Sequence, residues 1–181
     1  MYGLINKAIA GLVIQNFGKS AWHKICDRAN VDTSEFVSME QYPDSLTYDL
    51  VGAASEVLDL PPEIVLETFG RYWVEFVGEQ NYGQLMEAAG DNFGDFLNNL
   101  NEMHSRVMLS YPDLIPPSFN LTDRTEHSMV LHYSSTRVGL EALVIGLLKG
   151  LADRFAIQIK VDQRSEQDHD GGAVFDIVIL S

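Results

Sequence analysis

The chain changes its apolar periodicity once, at YPDLIPPSF (111–119), and that change limits the fold more than any other feature. Upstream, apolar residues recur at helical spacing. Residues 61–78, PPEIVLETFGRYWVEFVG, open on prolines suited to a first helical turn and carry Ile64, Val65, Phe69, Trp73, Phe76 and Val77 along one stripe. Similar stripes run through 3–17, 44–58 and 92–110. Downstream, Met129, Leu131 and Tyr133 alternate with Ser128, Val130 and His132, while AIQIKV and AVFDIVIL read as further strands. Between them GLEALVIGLLKGLADRF reads as a helix, and the polar RSEQDHDGG as the turn joining the last two strands. The expected class is α+β. A helical N-terminal subdomain (1–110) is followed by a β-β-α-β-β subdomain (111–181) with an antiparallel sheet, the two forming one domain of 181 residues.

A chain of this length buries about 70% of the surface its unfolded form exposes, enough to enclose a cavity. Its 26 Asp and Glu against 12 Lys and Arg give a net charge of −14. That balance argues against a nucleic-acid partner or an anionic membrane surface, and an anionic ligand would need a local cationic site. The single cysteine, Cys26, excludes an internal disulfide and any CxxC metal or redox motif, and it suits a reducing cytoplasm. The opening MYGLINKAIAGLVIQNFGKS is apolar but interrupted by Asn6, Lys7, Gln15 and Asn16, so it reads as an amphipathic helix and not as a signal or membrane span.

Two features carry chemistry. In NFGDFLNNLNEMHSRVMLSY, residues Phe93, Phe96, Leu97, Leu100, Met103, Val107 and Met108 form a broad apolar face, and His104 falls within it. On spacing alone His104 reads as a core histidine satisfied by a carbonyl. The same buried neutral imidazole beside apolar walls is also what a heme iron requires. The second feature is HYSSTR, in which Tyr133, Ser135 and Arg137 stand at i, i+2 and i+4. In an extended chain these three point to one face over roughly 13 Å, at ~3.3 Å per residue, as a clamp for carboxylates. A strand-end tyrosine, a turn serine and a solvated arginine account for the same pattern without any ligand.

Together, with His104 lying 29 residues before Tyr133, the two features make the chain resemble the heme-nitric oxide/oxygen binding (H-NOX) family, related to the heme domain of soluble guanylate cyclase. The resemblance extends over MYGLINKAI, LVGAASEVL, FGRYWVEF, LNNLNEMHSRV, PPSF, LHYSSTRVGL and GLLKGLADRF. It implies a non-covalent heme b between the two subdomains, in keeping with the absence of a CxxCH attachment motif. It further implies that His104 is the axial iron ligand, that Tyr133, Ser135 and Arg137 hold the propionates, and that Pro117 presses on the porphyrin. As a chain bend ahead of a strand, Pro117 has an equally good structural reading.

Oxygen-binding members of that family carry a tyrosine in the helix after Y-x-S-x-R, whereas residues 138–155 contain none. Trp73, with Ile5, Phe69 and Leu143, is expected to wall an apolar distal pocket. Such a pocket withholds the donor that bound O₂ needs, while NO binds ferrous heme without one. Tyr2 and Tyr72 lie near that pocket in sequence and would reintroduce a donor if they reached it. The resemblance therefore implies a cytoplasmic ferrous-heme gas sensor selective for NO, with CO tolerated. It further implies that NO weakens or breaks the iron–His104 bond, that the subdomains shift, and that the output passes to a histidine kinase or a cyclic-dinucleotide enzyme. Two other classes compete: a heme peroxidase or oxygenase, which would want a distal His or Arg, and a heme-free module binding an apolar carboxylate.

The remaining candidates are weaker. His23, His127 and His169 sit in polar surroundings, and His132 faces away from Tyr133 on its strand. DHDGG (168–172) lacks the longer calcium-loop pattern and reads as a hairpin turn. With no nucleophile elbow, phosphate loop or paired-acid arrangement, a catalytic centre is not expected.

Overall fold

The computed structural model describes residues 1–32, 36–78, 82–165 and 171–180. Helices α1 (Gly3–Phe17), α2 (Lys19–Ala29), α3 (Asp44–Leu58) and α4 (Pro62–Val77) come first. α1 turns Ala8, Ile9, Leu12 and Val13 inward at helical spacing. Its one fully buried polar side chain, Asn6, accepts a hydrogen bond from Thr47 Oγ1 of α3 at 2.8 Å, which fixes α1 against α3. α4 begins with proline in its first turn, where a missing N–H costs nothing.

The stripe at 92–110 divides into two helices, α6 (Phe93–Asn98) and α7 (Leu100–Val107), which follow α5 (Gly83–Ala89). The break falls at Asn99, whose side-chain Nδ2 donates to the Ala89 carbonyl at 2.8 Å. Both pieces turn apolar residues to the same core, Phe93, Phe96 and Leu97 from α6 and Leu100 and Met103 from α7, whereas Met108 of the expected stripe is exposed. α6 starts on Asn92, whose Oδ1 accepts from the Asp95 N–H at 2.9 Å as an N-cap.

The expected β-β-α-β-β order is present as β1 (Ser118–Thr122), β2 (Ser128–Ser134), α8 (Glu141–Arg154), β3 (Ile159–Gln163) and β4 (Ala173–Ile179). The sheet order is β1-β2-β4-β3 and each pairing is antiparallel. Residues 166–170 of the expected last turn, His169 among them, lie outside the described residues.

α8 crosses α4 at backbone distance. A Cβ on Gly146 would fall well inside contact distance of the Glu67 carbonyl, one on Gly70 would do the same to the Leu143 carbonyl, and one on Gly150 would stand 2.8 Å from the Arg71 oxygen. This pair divides two apolar cores. Val74 and Val144 face a core built with α6, α7 and the sheet, including Phe96, Phe119, Leu131, Tyr133 and Phe175. Phe69, Trp73 and Leu143 face the other, built with α1, α2 and α3. Among the described residues, no helix is long and apolar enough to cross a membrane.

Candidate functional site

His104 projects from the middle of α7. Its Nδ1 is buried and has no hydrogen-bond partner. Burial disfavours the charged imidazolium and lowers the pKa from its ordinary value, while a hydrogen bond between the ring and the Pro117 backbone works the other way. The ring is therefore held neutral with a nitrogen left over, a costly arrangement that asks for a partner. Its centroid lies 6.0 Å from that of Phe119, which in turn lies 5.5 Å from Tyr133, both ring pairs tilted by 41°. Strand register explains the second contact, since Phe119 of β1 stands opposite Tyr133 of β2.

Tyr133 is buried in the sheet-side core, and burial raises its pKa although the Ser135 hydroxyl works against it. The phenol therefore stays protonated and able to donate. Ser135 and Arg137 depart from the extended clamp. β2 ends at Ser134, and the Arg137 N–H donates to Ser135 Oγ at 3.1 Å, so the chain folds back on itself. The reason is local: a serine hydroxyl offers the backbone a turn in place of a ladder, and Gly139 with φ +75° completes the reversal into α8.

The turn brings Arg137 to a partner far away in sequence. Its Nε donates to Asp44 Oδ2 at 2.8 Å across 93 residues, and its Nη1 donates to the Ile115 carbonyl at 2.9 Å. The other Asp44 oxygen accepts from the Met1 ammonium at 2.6 Å. Burial acts to raise the Asp44 pKa, but the bonds from the ammonium and from Arg137 outweigh it and hold the carboxyl below its usual value. Arg137 is 19% exposed, and the rest of its guanidinium fork has no protein partner among the described residues. Asp44 carries no sequence signal of this role, because an acid at a helix start reads as a dipole partner.

On the opposite side, Ile5, Phe69, Trp73 and Leu143 meet in one apolar cluster, with the Phe69 and Trp73 rings 6.2 Å apart and Trp73 stacked on Phe76 at 6.0 Å. Of the two nearby tyrosines, Tyr2 is directed elsewhere, whereas Tyr72 packs on this same cluster beside Phe76. The Tyr2 hydroxyl accepts from the Asp113 N–H at 3.2 Å, and its ring meets Tyr111 edge-on at 4.8 Å. The Tyr72 hydroxyl lies against α1, 2.8 Å from where a Cβ on Gly11 would stand. Pro117 immediately precedes β1, next to the His104 ring. His23 and His127 are exposed, and His132 Nε2 pairs with Thr122 Oγ1 at 3.0 Å. Among the described residues, no group of three or more His, Cys, Asp or Glu is placed to hold a metal ion.

The family model described as Haem-NO-binding matches residues 2–163. The chain belongs to this family, the H-NOX family. Curated H-NOX relatives include soluble guanylate cyclase 89Da of Drosophila melanogaster, 28% identical over 95% of this chain, and soluble guanylate cyclase gcy-33 of Caenorhabditis elegans, 30% identical over 86%. The aligned region spans 26% and 16% of those two proteins. Among solved structures, an H-NOX protein from S. oneidensis in the Fe(II)NO state superposes with a TM-score of 0.88 at 21% identity, covering 100% of both chains. The Fe(II) unliganded H-NOX protein from K. algicida gives 0.86 at 21% identity, covering 100% of this chain and 97% of that one. Those two likenesses establish the fold.

H-NOX domains bind heme, and the residues present fit that group. His104 offers a neutral imidazole with an orphaned buried nitrogen. Tyr133 and Arg137 offer a protonated phenol and spare guanidinium donors of the kind a propionate accepts. Ile5, Phe69, Trp73 and Leu143 offer apolar walls.

Proposed function

We propose that the protein is a ferrous-heme gas sensor that selects NO over oxygen, tolerates CO, and signals to a separate protein. One observation carries the reading: a neutral, buried imidazole with an unpartnered nitrogen on α7, in a fold that gathers Ile5, Phe69, Trp73 and Leu143 into an apolar cluster on the opposite side. Bound heme b would supply a ferrous iron able to bind NO. His104 would be its axial imidazole, and its low basicity keeps it in the ligating form near neutral pH. Tyr133, Ser135 and Arg137 would hold the propionates, with Pro117 against the porphyrin.

The chain's own residues then carry the signal. α4 and α8 are locked to each other through Gly70, Gly146 and Gly150, so the helical pair acts as a rigid reference. α7 has no such lock. Once His104 is released, α7 and its exit segment are free to move against that reference. The exit segment reaches Arg137 through the Ile115 carbonyl, and Arg137 reaches α3 through Asp44. This is a two-state element biased by a ligand. The relatives named as soluble guanylate cyclases contain the matched region as a minor part of a longer protein, which supports a sensory role for residues 1–181 as one domain. The receiver is a histidine kinase or a cyclic-dinucleotide enzyme, in the cytoplasm.

The absorption spectrum of the reduced protein tests the reading. NO should shift the main band, and air should give no stable oxygen complex. His104→Gly should lose heme or accept it only with added imidazole, which refills the vacated volume. A colourless parent protein, or unchanged heme content in His104→Gly without imidazole, would overturn the assignment.

A further inference from the structure

The contact between α7 and the sheet edge is made by a side chain that the heme site leaves unused. Asn101 Nδ2 donates to the Phe119 carbonyl at 2.6 Å, and Asn101 Oδ1 accepts from the Phe119 N–H at 3.0 Å. Among the described residues β1 is an edge strand, paired only with β2. In an antiparallel pair every second residue turns both of its backbone groups away from its neighbour. Phe119, opposite Tyr133, is such a residue, since both of its groups reach Asn101. A primary amide presents one donor and one acceptor side by side, as a peptide group does, so Asn101 stands in for the strand that β1 lacks.

We infer that Asn101 is the positioning residue for His104, clipping α7 to β1 at two points so that helix and strand move as one body. Two bonds fix direction as well as distance, which a single bond does not. Asn101 and His104 are three residues apart on one helix and therefore share a side. The Phe119 backbone grips the first while the Phe119 ring meets the second, 6.0 Å between centroids. Displacement of His104 is thereby passed to β1, and through the opposed Phe119 and Tyr133 rings to the end of β2. The role as iron-ligand positioner rests on the heme reading above, whereas the clip itself does not.

Asparagine is specific to this geometry. Asp would keep the acceptor for the Phe119 N–H but set an oxygen against the Phe119 carbonyl, and Ala would remove both bonds.

The test uses the full chain, as apoprotein and as heme-loaded protein. In Asn101→Ala apoprotein, hydrogen exchange at the Phe119 amide should speed about tenfold, the worth of one lost hydrogen bond, while Leu131 and Phe175 in the sheet centre keep their parent rates. In the loaded ferrous protein, the iron–histidine stretching band should shift in Asn101→Ala. It should shift less in Asn101→Asp, which retains Phe119 protection and covers the case in which the alanine variant fails to fold. Parent-like Phe119 exchange in Asn101→Ala overturns the clip. Faster exchange with an unmoved iron–histidine band overturns the positioning role. Absence of an iron–histidine band in the parent overturns the heme reading, and the exchange result then still decides the clip.

Discussion

Removing the Arg137 guanidinium should loosen heme and weaken the join between the two halves of the molecule by separable amounts. In the structure Arg137 donates to Asp44 at 2.8 Å and to the Ile115 carbonyl at 2.9 Å, and the remainder of the fork is available to a propionate. Arg137 is 19% exposed, so its bonds are little screened, but Asp44 is 41% exposed and its share must be discounted. For the apoprotein, Arg137→Ala should therefore cost about 1–2 kcal/mol, read as a lower denaturant midpoint. For the loaded protein, a charged hydrogen bond to a propionate is worth about 1.5–3 kcal/mol, which predicts heme transfer to an acceptor protein roughly ten- to a hundredfold faster. Ser135→Ala removes a neutral hydroxyl worth about 1 kcal/mol and should cost less. The alanine variant leaves Asp44 paired with the Met1 ammonium alone, so Asp44→Asn in the same chain should cost further apoprotein stability and leave heme retention unrecovered. Equal heme-transfer rates for Arg137→Ala and the parent would refute the propionate role.

Other expectations follow from single contacts. Leu143→Tyr puts a phenol into the cluster formed with Ile5, Phe69 and Trp73 and should raise oxygen affinity by up to roughly ten- to a hundredfold, less the strain of the larger ring, with NO binding largely kept. Oxygen titration of the ferrous variant decides it, and a long-lived oxygen complex in the parent would end the case for NO selectivity. Because the native pKa of His104 is lowered, the unfolded chain takes up a proton near pH 6.5 that the folded apoprotein refuses. Stability should thus decline as pH falls below 6.5, by at most about 1.4 kcal/mol per pH unit, until the native pKa is reached. His104→Gln should flatten that slope in denaturant titrations between about pH 7.5 and 5.5. Gly146→Ala drives a methyl into the Glu67 carbonyl and should destabilise by about 3 kcal/mol or more, whereas Gly52→Ala, with nothing within 4 Å, should stabilise α3 by about 0.5–1 kcal/mol in thermal unfolding.

Spacing along the chain determined a good deal. The switch in period at 111–119 divides helices from strands because each element buries one face, and that requirement is written at short range. His104 was visible for the same reason, as a polar residue within an apolar stripe, and so was the order of the last five elements. Tertiary structure alone decided which distant residues meet. Asp44 joins Arg137 across 93 residues, Asn101 takes the backbone of Phe119, and Tyr2 turns its hydroxyl to Asp113. The break at Asn99 and the turn at Ser135 belong with these, since a side chain competing for backbone groups left the apolar pattern undisturbed in both places. A single sequence records its own period, but the choice of partner depends on how packed elements are brought face to face, here by two helices whose glycines let backbone touch backbone.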